Sequence, residues 1–182
     1  MFSDPEKNLK TLKISSGMKV ADFGSGSGFY TLAIAENVSP KGKVYAVDIQ
    51  TGLLEKIRMD SDRIGLGHVV EVVQGDLEKE NGSRLASDLV DAVVLANTLF
   101  QIDEKEKCVS EAIRIIKNNG RVLVLDWLDS FGGIGPQPED VVSKELIKKM
   151  FIDQGAELSE ELEHPGDHHY GFIFVVKKNK AR

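Results

Sequence analysis

An α/β fold built on one doubly wound, mostly parallel sheet of seven strands, with an antiparallel C-terminal hairpin, is predicted by three observations. Short apolar runs ending in small or acidic residues recur along the chain, helical patterns separate most of them, and the last two runs follow one another with no helix between. Strands that alternate with helices pair in parallel through crossovers, whereas consecutive strands joined by a loop pair antiparallel. At 182 residues the chain can bury one sizeable core, and residues 1–182 read as a single domain.

The first strand, Val20 to Phe23, carries Val20, Ala21 and Phe23 as its apolar run and sets Asp22 just before a turn of Gly24, Ser25, Gly26, Ser27 and Gly28. Glycine permits positive φ and removes a Cβ that would block a ligand from the backbone. Thr31 to Ala35 continue as a helix, whose first amides are expected to face the same cleft and favour electron-rich ligand atoms. The spacing is GxGxG, so the third glycine falls one position early for a dinucleotide fingerprint, and Gly28-Phe29-Tyr30 replaces the Gly-Lys-Ser/Thr ending of a P-loop. NAD, FAD, ATP and GTP are therefore disfavoured. Asp22-Phe23-Gly24 imitates the kinase magnesium motif, but no kinase lysine strand or catalytic loop precedes it.

Lys43 to Asp48 forms the second strand and ends in a carboxylate 20 residues after Gly28, where a βαβ unit places the acid that accepts hydrogen bonds from a ribose diol. Val69 to Gln74 is the third, closed by Gly75 and Asp76, and Asp91 to Ala96 is the fourth, leading into Asn97, Thr98, Leu99 and Phe100. After Asp103, the positions Val109, Ala112, Ile113 and Ile116 fall at i, i+3, i+4 and i+7, which predicts a helix with one buried stripe and a solvated charged end over Glu104–Lys107. Gly120 to Asp126 is the fifth strand, with Trp127 just beyond it. The run Phe131 to Pro138 reads as a flap with glycine hinges. Leu146 with Met150, and Ile147 with Phe151, predict another helix, capped by Ser143 and stopped at Gly155. The tail strands, Glu157 to Leu162 and Tyr170 to Lys177, are joined by His164 to His169.

Taken together these motifs resemble the class I S-adenosylmethionine-dependent methyltransferases, from about Met18 through Lys177, and within them the small-molecule branch related to the ubiquinone and menaquinone methylases. The resemblance implies a Rossmann-like methyltransferase fold, S-adenosyl-L-methionine as cofactor, and a binding set made of Asp22, Gly24, Ser25, Gly26 and Gly28 at the first turn. It adds Asp48 with Ile49 for the ribose, Gly75, Asp76 and Leu77 on the adenine side, and Ala96 with Asn97 after the fourth strand. Lys117-Asn118-Asn119-Gly120 stands where that branch has a Lys-Pro-Gly-Gly turn, without the proline. The implied reaction is an in-line displacement at a sulfonium methyl. It needs a base only for a hydroxyl, a weak carbon acid or a protonated amine, so catalytic residues are not readable from spacing.

Other acceptors are disfavoured by what the chain lacks. The residues after the fourth strand are not the Asn/Asp-Pro-Pro-aromatic motif that resembles base and glutamine N-methylases, Asp126 alone is a poor magnesium site, and one cysteine cannot serve arsenite. A formal charge of −6 and a pI near 5.3 oppose binding to a phosphate backbone. The basic tail of Lys177, Lys178, Lys180 and Arg182 reads as solvated, which leaves a partner-guided RNA methyltransferase as an alternative and nucleic acid disfavoured. His164, His168 and His169 are split by Pro165 and Gly166 with no cysteine beside them, so no metal is expected, although His169 at the start of the last strand is placed to face a substrate. No run is long enough to span a membrane, Met1 to Ser16 lacks a signal-peptide core, and the lone Cys108 suits a reducing compartment, so the cytoplasm is expected. Met1 to Leu12 and the flap are expected to cover the acceptor, and so short an N-terminal piece leaves the pocket open or completed by a second copy in a homodimer. A small-molecule methyltransferase is the leading reading, with a cofactor-binding module that has lost turnover as the alternative.

Overall fold

The computed structural model describes residues 4–178 except Gly132 and Ile134. Met1 to Ser3, two residues of the expected flap, and Lys180 and Arg182 of the basic tail lie outside the described residues. Seven strands, β1 (Lys19–Phe23), β2 (Lys43–Asp48), β3 (Val70–Gln74), β4 (Val90–Ala96), β5 (Ile116–Trp127), β6 (Ala156–Glu161) and β7 (His169–Val176), form one sheet in the order β3-β2-β1-β4-β5-β7-β6. The first five strands are parallel, and β7 runs antiparallel between β5 and β6. The predicted hairpin is therefore present, with its later strand innermost.

Helices α1 (Pro5–Leu12), α2 (Phe29–Val38), α3 (Thr51–Arg63), α4 (Lys105–Ile115) and α5 (Lys144–Asp153) cover both faces. On one face α1 and α2 bury Leu9, Leu12, Ile34 and Val38 against Val20, Val94, Leu123 and Ile173. On the other, α4 and α5 bury Val109, Ala112, Ile147 and Phe151 against Phe23, Val93, Val122, Phe172 and Phe174. Burial on two sides explains why the central strands read as continuous apolar runs rather than alternating ones. Asp4 caps α1 by accepting from the Lys7 amide, and Asn8 bridges the helix to Tyr30 Oη at 3.1 Å and the Pro165 carbonyl at 2.9 Å. Ser143 caps α5 through the Leu146 amide at 3.2 Å, and Gly155 beyond the helix has φ +87°. Among the described residues no helix is long and apolar enough to cross a membrane.

Three local expectations change. The buried stripe of α4 is Cys108, Val109, Ala112 and Ile115, while Ile113 is only partly buried and Ile116 already belongs to β5. The helix stops one residue short of the last periodic position. Strand β5 begins at Ile116 rather than Gly120, and the expected turn is a bulge inside it, where Asn119 takes φ +63° and the register against β4 shifts between Val90 and Ala92. Residues 75–89, all described, contain no helix, so the crossover from β3 to β4 is made by turns. A polar network compensates: buried Glu111 accepts the Ser83 amide at 3.0 Å and the Ser83 hydroxyl, and Arg114 joins Glu111 to the Leu85 carbonyl, each at 2.7 Å.

Candidate functional site

The carboxyl ends of β1, β2, β3 and β4 converge on two adjoining hollows, of about 270 and 340 Å³, which share Gly24, Gly26 and Gln101. The first is bounded by Asp48, Ile49, Gln50 and Leu53 on one side and by Gly75, Asp76, Leu77, Glu78, Thr98 and Ile102 on the other. Its apolar residues, Ile49, Leu53, Leu77 and Ile102, leave a slot suited to a flat ring, with Asp48 at one end. The second is lined by Asp22, Ser25, Ser27, Phe29, Tyr30, Ala96 and Asn97. Every residue of the sequence-predicted set lines one hollow or the other except Gly28.

The three glycines of the turn have different reasons to be there. All take positive φ, of +68°, +52° and +88°. A Cβ on Gly24 would fall 2.5 Å from Thr98 Cγ2, and one on Gly28 would fall 2.7 Å from Ile57 Cγ1. Those two glycines let the chain pack. Only at Gly26 would a Cβ point into open space, its nearest neighbour being the Gly24 carbonyl at 3.9 Å, and Gly26 is the one that leaves the hollows free.

The amides of the turn are turned inward. Gly24 and Ser25 donate to the Val47 carbonyl at 2.8 and 3.1 Å, Gly28 to the Ser25 carbonyl at 2.9 Å, and Gly26 to Asp48 Oδ2 at 2.8 Å. These four amides are thus taken within the protein beside an acidic floor, while the expectation for a ligand concerned the start of α2, whose Phe29 and Tyr30 line the second hollow. Asp48 also accepts from the Gln50 amide at 2.9 Å, which fixes its carboxylate at the junction of the hollows. Asp22, near the end of β1, is buried, and the hydroxyl of Thr31 in the first turn of α2 donates to it at 2.6 Å. Burial pushes the Asp22 carboxyl up to about 6, against the pull of Thr31 and with a further push from Asp48. Beside it, Ser25 Oγ and Asn97 Oδ1 are buried without a hydrogen-bond partner. Among the described residues, no lysine or arginine lines either hollow.

Asp76 is held below the usual carboxylate range, first by Lys79, 2.8 Å away, and then by the Glu78 amide. Asn97 sits at φ +56°, and its carbonyl accepts from Gln101 Nε2 at 2.8 Å. The short turn Leu99–Gln101 is tied from beneath by Asp126, which accepts the Phe100 amide at 3.2 Å and the Trp127 amide at 2.8 Å. Burial lifts Asp126 to about 6 in spite of these donors. Sequence reasoning left out Ser27, Phe29, Tyr30 and Gln50, which adjoin predicted residues, and also Leu53, Glu78, Thr98, Gln101 and Ile102. Of the latter, Thr98 and Gln101 had a signal, their closeness to Asn97. Cys108 is buried and its thiol is pushed up by that burial. His168 pairs with Asp129 at 2.8 Å and stacks on Phe131 at 4.0 Å.

Residues 14–164 match a family described as a methyltransferase domain. The chain is 30% identical over 139 residues to the ubiquinone/menaquinone biosynthesis C-methyltransferase UbiE of Idiomarina loihiensis, covering 75% of this chain and 53% of that protein. It is 31% identical over 114 residues to UbiE of Pseudomonas fluorescens, covering 63% and 43%. It spans about half the length of the curated relatives it matches. Among solved structures, a SAM dependent methyltransferase from Aquifex aeolicus superposes with a TM-score of 0.85 at 30% identity, over 96% of this chain and 90% of that one. The [4+2]-cyclase SpnF shares the fold at 12% identity with a TM-score of 0.79, over 96% and 81%.

Proposed function

The chain belongs to the methyltransferase domain family, and on that premise we propose that it is a single-domain enzyme moving a methyl group from S-adenosylmethionine to a small-molecule acceptor by in-line displacement. The observation that carries the reading is the acidic floor of the cleft. A phosphate-bearing nucleotide would meet carboxylates, whereas a ligand with an ammonium, a ribose diol and a flat ring finds a partner for each. Asp48 suits the diol, and the slot of Ile49, Leu53, Leu77 and Ile102 suits the adenine. Asp22, with the unpartnered Ser25 Oγ and Asn97 Oδ1, suits the amino-acid end.

Bound there, the cofactor supplies an electrophilic methyl group on a good leaving group, so the chain has mainly to bind, orient and keep water out. Orientation of this kind is worth up to ~7 to 11 kcal/mol. Gly26 leaves the space, Asp48 fixes the ribose end, and Asp126 holds the Leu99–Gln101 wall in place. A small acceptor is supported by the formal charge of −6, which opposes a nucleic-acid backbone, and by the similarity to UbiE. A cytoplasmic location belongs to the same proposal and is supported by the single, buried cysteine.

The test is release of S-adenosylhomocysteine when the purified chain and S-adenosylmethionine are given fractionated pools of cellular metabolites, alongside calorimetry of cofactor binding. Binding with release in a metabolite fraction is the expected result. Binding with no release from any fraction points instead to a non-catalytic module. No binding at all overturns both.

A further inference from the structure

A second set of side chains reaches the same sheet edge. Strand β5 ends at Trp127, the antiparallel β7 begins at His169, and these two residues are register partners. The pairing Ala96, Leu125, Gly171 runs across β4, β5 and β7, and Trp127 and His169 stand two residues further toward the edge. Side chains alternate along a strand, so both rings share the face of Ala96, which lines the cleft. Imidazole and indole lie 4.3 Å apart at 36°.

His169 is 6% exposed, and its Nδ1 lies 2.7 Å from the Asp167 carbonyl. A carbonyl only accepts, so Nδ1 carries the hydrogen and Nε2 keeps its lone pair. Nε2 is buried and has no partner; the other two such side-chain atoms among the described residues, Ser25 Oγ and Asn97 Oδ1, both belong to residues lining the cofactor cleft. Burial lowers the imidazole pKa. The neighbouring His168 adds to that, while Asp129 and Asp167 act against it.

We propose that His169 Nε2 receives the proton of the methyl acceptor, a phenolic or enolic hydroxyl docked beside Trp127. The inference rests on the methyl-transfer reading. As the acceptor oxygen uses a lone pair to bond the methyl carbon, its O–H proton passes to Nε2 and the O–H electron pair stays on oxygen. The sulfur–methyl bond breaks with its pair kept by sulfur, and the imidazolium returns its proton to solvent. Gly135 lies against the indole, where a Cβ would fall 2.9 Å from three ring atoms.

The test uses the full chain with histidine labelled in nitrogen-15 and saturated with S-adenosylhomocysteine. Phenol is the probe, and anisole, which lacks the hydroxyl, is the control. Phenol should shift the His169 Nε2 resonance and anisole should not. His169→Asn, which keeps an N–H for the Asp167 carbonyl, should bind S-adenosylhomocysteine as before and turn over a hydroxyl acceptor about 100-fold or more slowly. Equal shifts from both compounds, or none from phenol, overturn the inference while the cofactor reading stands. Failure of S-adenosylhomocysteine to bind the unaltered chain sinks the cofactor reading instead, and with it the methyl transfer on which this inference depends.

Discussion

Replacing Asp22 with asparagine keeps an oxygen for the Thr31 hydroxyl and removes a charge that burial penalises. Raising a carboxyl from 3.8 to about 6 is worth about 3 kcal/mol, at about 1.4 kcal/mol per pH unit. The folded protein holds this proton more tightly than the unfolded chain does. The contribution to stability is therefore complete below pH 4, shrinks as the pH rises, and is gone above about 6. The amide side chain of the variant does not titrate and suffers no such loss. Urea unfolding of the two proteins between pH 4 and 7.5 should show them converging at the acid end, with the Asp22→Asn variant ahead by about 3 kcal/mol at pH 7. A gap that does not change with pH, or a wild type that is the more stable at pH 7, would refute the argument. The same variant should bind S-adenosylmethionine more weakly, because the anionic partner of the amino-acid end is gone. Stability and affinity should move in opposite directions.

Asp48→Ala removes the carboxylate proposed to accept from the ribose hydroxyls and frees the Gly26 and Gln50 amides. A hydrogen bond to a charged group is worth about 1.5 to 3 kcal/mol, so calorimetry should report a loss of cofactor affinity of roughly tenfold to 100-fold, and unchanged affinity rejects the role. Gly26→Ala should fold with a modest penalty of about 1 to 2 kcal/mol from its positive φ and lose cofactor binding. Gly24→Ala, whose new methyl would strike Thr98, should instead lower the thermal midpoint by several degrees or fail to fold. Cys108 should resist maleimide in the native protein and react fully in urea, because the thiol is both enclosed and held protonated.

The parallel half of the sheet was legible because strands buried on both faces must be apolar throughout, and Val20–Phe23 and Lys43–Asp48 show this almost to the residue. The glycine turn was legible as a site but not in its division of labour. A sequence shows three missing Cβ atoms, whereas only packing shows that Thr98 and Ile57 occupy the space beside two of them. The inward amides were hidden for the same reason, since the Val47 carbonyl that takes two of them arrives from another strand. Leu53 and Ile102 are ordinary apolar residues until α3 and the Leu99–Gln101 turn are docked. The end of α4 was misjudged at Ile116 because a periodic apolar position fits a helix and the start of a strand equally well.

Strand β7 runs against its neighbours, so its opening residues, not its closing ones, arrive where ligands bind. The loop from Leu162 to His168 therefore feeds directly into the rim of the cleft, while the hollows are made entirely by residues before position 103. That loop is tied back to α1, where Lys7 Nζ donates to the His164 carbonyl and Asn8 Nδ2 to the Pro165 carbonyl, each at 2.9 Å, so an exchange there bears on the rim and on α1 together. Libraries that seek new acceptors are best confined to exchanges that leave the His164 and Pro165 carbonyls in place for Lys7 and Asn8.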